Sequence, residues 1–127
     1  MIHSFKVAST LAAQRIVYVS AANTVAYPTG STVLPIGVTD DTVDDTTQSI
    51  PVRCAGERAK VLFDDTVAAG GLVASDTSGR GVPFTLQSTT TSSTLSAAYV
   101  GILLGAAVSA TATIAEILVQ PGYEAGA

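Results

Sequence analysis

The chain has 127 residues, of which 47% are hydrophobic and only 13% charged, and its formal net charge is −4. That length corresponds to one domain with a single core, and the acidic balance with six scattered basic residues argues against a surface that tracks phosphates. So little charge leaves much neutral surface, which points to cover by a partner or by copies of the chain itself.

Residues 1–10 (MIHSFKVAST) lack the basic and then apolar pattern of a leader and have no core of their own, so they read as a flexible N-terminal arm. Arg15–Ser20 (RIVYVS) is β-branched and aromatic on both faces, as a covered strand requires. Tyr27–Gly30 and Asp40–Asp45 read as loops. Ile50–Cys54 alternates, with Ile50, Val52 and Cys54 on one face; Pro51 predicts a place at a sheet edge. After a turn at Gly56, Ala59–Phe63 alternates with Val61 and Phe63 opposite Lys60.

The next stretch is built on turns. Asp64–Gly70 turns the chain, with room for a short helical turn at Asp65–Ala69, and leads into a short strand at Leu72–Ser75. Asp76–Gly79 has hairpin-turn chemistry, and Val82–Leu86 is the returning strand. The run 87–94 (QSTTTSST) has too little apolar content to pack and reads as a mobile loop.

Residues 95–115 contain no charge and have the length of a membrane-spanning helix, with a GxxxG motif at Gly101–Gly105. Ala, Ser, Thr and Gly dominate the segment, and no Lys or Arg flanks it, so two strands, Ala97–Leu104 and Thr113–Gln120, joined by a small-residue turn, fit better than a span. Short strands punctuated by turns indicate an all-β fold, a small compact β-barrel or β-sandwich with tight Gly turns, in which residues 11–121 form the β-domain and 122–127 a tail.

Residues for chemistry are sparse. His3 is the only histidine and reads as an exposed terminal residue; Cys54 is the only cysteine, so no internal disulfide forms. Cys54 reads as a small buried hydrophobe, and folding in a reducing cytosol is the simplest inference. There is no GxSxG elbow, Ser-x-x-Lys or phosphate-binding Gly-Lys-Ser/Thr motif. Asp40, Asp41, Asp44 and Asp45 are oxygen-rich, but their spacing is not that of a calcium loop, so they read as a solvated loop. The expectation is a protein with no catalytic residues, no cofactor, no metal, no nucleic acid and no membrane partner.

The order of elements resembles the capsid cement, or head decoration, proteins of tailed bacteriophages. The matching residues are the Arg15-Ile-Val-Tyr-Val strand, Pro35-Ile-Gly-Val38, Ile50-Pro-Val-Arg53, Gly56-to-Val61 (GERAKV), Val67-to-Gly79 (VAAGGLVASDTSG), Tyr99-Val-Gly-Ile102 as a second copy of the early motif, and Ala115-to-Pro121 (AEILVQP). The resemblance implies a β-tulip-like, non-enzymatic virion protein. It further implies synthesis in the bacterial host cytoplasm and binding to the outer surface of the phage head, often as a homotrimer that clamps neighbouring subunits of the major capsid protein.

Within that reading, the arm residues Ile2, His3, Ser4, Phe5 and Lys6 are the expected capsid contacts. The C-terminal strand has Ile114, Glu116 and Leu118 on one face and Ala115, Ile117 and Val119 on the other. One face meets the core; the other, on an edge strand, needs cover from a second subunit, where Glu116 pairs with Arg53 or Lys60. A small β adhesion or carbohydrate-binding module remains the alternative, although four Tyr, three Phe and no Trp give little to stack on sugars.

Overall fold

In the computed structural model, which describes residues 2–30, 33–84, 96–108 and 113–125, every regular element is a strand. In chain order these are β1 (Ile2–Val7), β2 (Ile16–Ala21), β3 (Thr24–Ala26), β4 (Gly37–Thr39), β5 (Ser49–Arg53), β6 (Arg58–Phe63), β7 (Leu72–Ser75), β8 (Gly81–Pro83), β9 (Ser96–Leu103) and β10 (Thr113–Ala125). They close into two small barrels, β1-β3-β2-β4-β5 and β6-β8-β7-β9-β10. The all-β barrel expectation holds, with two barrels in place of one.

The two barrels are copies of one plan. In each, the first strand pairs parallel with the third, and every other pairing is antiparallel. The register repeats as well. Val7↔Val25 matches Phe63↔Gly81, Val19↔Val25 matches Ser75↔Gly81, Ile16↔Val38 matches Leu72↔Ile102, and Ile2↔Arg53 matches Arg58↔Leu118. Even the isolated bridges correspond, Leu11↔Val43 in the first unit and Val67↔Val108 in the second. Two turns that need positive φ fall at matching positions: Gln14 (φ 62) with Gly70 (φ 75), and Asn23 (φ 52) with Gly79 (φ 75).

Each barrel encloses its own apolar cluster, so the single core expected from length is two. The first holds Val7, Leu11, Val17, Val25, Val43, Ile50, Val52 and Cys54. The second is built on Val61, Phe63, Val73, Val100, Leu103, Ile117 and Val119, and also takes in Ile16 and Val38 from the outer side of the first barrel. Alternation explains this sharing. Val17 points into its own barrel, so its neighbour Ile16 points out, and the second barrel lies against it. Backbone bonds stitch the same seam: the Ile16 amide donates to the Gly79 carbonyl (2.7 Å), the Leu62 amide to that of Gln14 (2.9 Å), and the Gly56 amide to that of Val119 (2.8 Å).

Several expectations change. Residues 2–7 are not a free arm; β1 pairs with β5 from Ile2↔Arg53 to Lys6↔Ser49 and with β3 at Lys6 and Val7, because Val7 and Phe5 fill the first core. The tail begins later than expected, since β10 continues to Ala125 against β9. Pro51 does not mark an edge: β5 lies between β1 and β4, and β10 likewise lies between β6 and β9. Residues 65–69 form no helical turn; Val67 is held in its bridge to Val108. The 95–115 segment gives β9 and the start of β10, and among the described residues no helix is long and apolar enough to cross a membrane. The loop 87–94 lies outside the described residues.

Candidate interaction surfaces

Two grooves among the described residues are candidates for contact. The first, of about 340 Å³, runs between the barrels and is lined by Gln14, Asp40 and Arg53 from the first unit and by Arg58, Lys60 and Glu116 from the second. β5 ends at Arg53 and β6 begins at Arg58, so a short turn through Gly56 (φ 91) brings both cations to one seam. Arg53 donates to both oxygens of Asp40, Nε at 2.8 Å and Nη2 at 3.2 Å. That forked bond, ahead of the opposing effect of burial, raises the pKa of Arg53 above its ordinary value. Arg58 Nη1 lies 3.4 Å from Glu116 Oε1, and Lys60 stands directly across from Glu116 in the β6–β10 ladder with no ion-pair partner among the described residues. Both pairs are partly exposed and contribute on the order of 0.2–1 kcal/mol each.

The groove therefore brings together three of the residues expected at an oligomer interface, Arg53, Lys60 and Glu116. It corrects their pairing. Glu116 meets Arg58 of its own chain, and Arg53 meets Asp40 of its own chain, so neither needs a second subunit for charge balance. Ile114 (49% exposed) and Leu118 lie on the same outer side of β10 as Glu116, as the alternation predicted. Asp40 belongs to the loop expected to be solvated, yet it meets Arg53 across the whole β4–β5 connection, a partner that no local stretch of sequence reveals. Elsewhere in that loop, Asp45 accepts the Thr47 amide (2.9 Å) and hydroxyl (2.8 Å), which lowers its pKa.

The second groove, of about 610 Å³, is apolar: His3, Val19, Leu34, Ile36, Cys54 and Pro121 line it. Pro121 reaches it because β10 overruns the barrel and carries residues 122–125 along β9. Cys54 sits at its floor, and burial pushes its thiol pKa up. Sequence reasoning missed Leu34 and Val19 here; the uncharged run Val33–Val38 was the available signal. Ile2, His3, Ser4, Phe5 and Lys6 form β1, with Phe5 packed against the core and Ile2, Ser4 and Lys6 turned outward. They are therefore held in a sheet and not carried on a free arm. Among the described residues, no three of His, Cys, Asp and Glu come together as a metal site.

No family model and no curated protein matches the chain. Among solved structures, it is similar to the head fiber gp8.5 N base of bacteriophage phi29, with a TM-score of 0.67 over 94% of this chain and 93% of that one, at 13% identity. At that identity the likeness is one of fold, and it extends over nearly the whole of both chains.

Proposed function

We propose that this chain is a non-enzymatic structural protein of a tailed-phage head. It binds the outside of the assembled shell as a homo-oligomer, a homotrimer, and clamps neighbouring subunits of the major capsid protein. The observation that carries this reading is the near full-length likeness to the base of a phage head fiber, reached independently of the motif order that resembles head cement proteins. The composition agrees with it: so few charges suit contact with protein surfaces. Many copies around a shell add weak contacts into strong avidity.

The test is to mix purified protein with phage heads lacking it, sediment the heads, and image them. Saturable decoration of the outer surface is expected. Heads that stay bare at micromolar protein overturn the shell reading, and affinity for a glycan array would replace it with the adhesion reading.

A further inference from the structure

The first barrel closes over only part of β1. The Lys6 amide donates to the Asn23 carbonyl (2.7 Å), on the side of β1 away from β5. Bonding groups alternate between the two edges of a strand, so the amides and carbonyls of Ile2 and Ser4 point to the same side as those of Lys6. Pro51, which has no N–H, stands opposite Ser4 in the β1–β5 ladder, as that direction requires. On the far side β3 begins only at Thr24 and faces Lys6 and Val7. Among the described residues no backbone group therefore answers Ile2 or Ser4, and two donors and two acceptors line an open edge.

The apolar groove of about 610 Å³ lies at this gap. His3, between Ile2 and Ser4, lines it from β1, and Val19 lines it from β2, the strand beyond β3. Val19 is 44% and Leu34 41% exposed there, while Cys54 and Ile36 join the groove to the first core. The repeat shows the same mouth when it is filled. By register, His3, Ile36 and Cys54 correspond to Ala59, Val100 and Val119 of the second barrel, which are 3%, 0% and 0% exposed. There β4 lies against β6 and β10, and Val38 joins their cluster. Among the described residues the mouth of the first barrel has no such cover.

We propose that this gap receives an extended, uncharged segment of a different protein, added as a strand beside β1. A row of alternating backbone donors and acceptors is matched by another backbone, and an adjoining groove selects the side chains that alternate with the bonds. No Asp, Glu, Lys or Arg lines the groove. A charge carried into it would lose its water and find no opposite charge, so the inward side chains of the segment are apolar. A segment of about five residues, at ~3.3 Å each, runs the length from Ile2 to Lys6. A second copy does not supply it, because among the described residues every strand is already held in a barrel of its own chain. The inference does not depend on the phage-head reading: it concerns the chemistry of the segment, whichever protein carries it.

The test selects binders of the full chain from a random library of acetylated, amidated hexapeptides. Selected peptides are expected to carry apolar residues at alternate positions and no charge among them, and to slow hydrogen exchange at the Ile2 and Ser4 amides, read by NMR. Ser4→Pro removes an amide that β5 does not use, and V19D places a charge in the groove. Each variant, checked for native fold by circular dichroism and melting, is expected to bind the selected peptides about tenfold more weakly or worse, while Ser4→Ala binds them as the wild type does. Peptides that hold either folded variant as tightly as the wild type overturn the proposal, and so does a library that yields no binder. Self-association of the wild type in sedimentation that Ser4→Pro abolishes would put a second copy in the gap and equally overturn it.

Discussion

At two matched glycines, Gly37 and Gly101, the backbone of a neighbouring strand leaves no room for a side chain. A Cβ on Gly37 would run into the Arg53 carbonyl of β5, and one on Gly101 into the Leu118 carbonyl of β10. Gly37→Ala and Gly101→Ala are each expected to lower unfolding free energy by about 1–3 kcal/mol or more, because backbone cannot yield as a side chain can. Gly105→Ala, with nothing within 4 Å of its Cβ and no positive φ, is expected to change stability by less than about 1 kcal/mol. Urea unfolding of the three variants checks this, and equal losses would mean the close approaches carry no weight. Cys54 offers a pH test. Its folded pKa is raised by burial, so the folded chain keeps the thiol proton after the unfolded chain has lost it. Its contribution is complete below the unfolded thiol pKa and is lost as pH rises through the raised folded value. The wild type is therefore expected to lose more stability than Cys54→Ala across the alkaline range, and its native thiol to react slowly with iodoacetamide near neutral pH.

At the level of elements, β1 changes what a truncation does. Removing residues 1–8 from a free arm would leave the fold intact, whereas here it strips the first barrel of a strand paired on both sides and of Val7 from the core. The truncated chain is expected to lose dispersed amide resonances in the first unit; a native-like NMR spectrum would mean the barrel closes without β1. The strands of strongest pattern were legible from sequence. RIVYVS, the alternation of Ala59–Phe63 (AKVLF) around Val61 and Phe63, and the split of 95–115 into two strands all rest on local residue chemistry that the barrels keep. β1, β3 and β4 were not legible as strands, because IHSFKV mixes polar and apolar residues without strict alternation and the other two are three residues long. Their pairing comes from barrel closure, which no local window contains. The repeat itself left a faint trace: Thr10-Leu-Ala-Ala13 against Thr66-Val-Ala-Ala69, and Pro35-Ile-Gly-Val38 against Tyr99-Val-Gly-Ile102. The last pair is the more visible, because the other shared residues are small and common. Of the candidate sites, the outward faces of β10 were readable from alternation, while the Asp40–Arg53 and Arg58–Glu116 pairings depend on how two barrels meet.

For the whole molecule, the shared cluster decides cooperativity. Ile16 and Val38 belong to the first barrel by chain and to the second by packing, so opening either barrel exposes apolar surface of the other. Calorimetry is expected to find one transition with equal calorimetric and van't Hoff enthalpies, and two separate transitions would mean that the barrels are independent. The apolar seam between the barrels also sets how the molecule meets salt. Mobile ions weaken contacts between charges, with a screening length of about 10 Å at 0.1 M salt, so they act on the partly exposed Arg53–Asp40 and Arg58–Glu116 pairs at the groove and not on Ile16 and Val38 inside the shared cluster. Salting-out anions such as sulfate strengthen apolar burial. The melting temperature is therefore expected to change little from dilute buffer to molar sodium chloride and to rise in sulfate, measured by the same calorimetry. A molecule joined in this way holds its shape through changes of salinity and osmotic strength that would loosen one riveted by ion pairs.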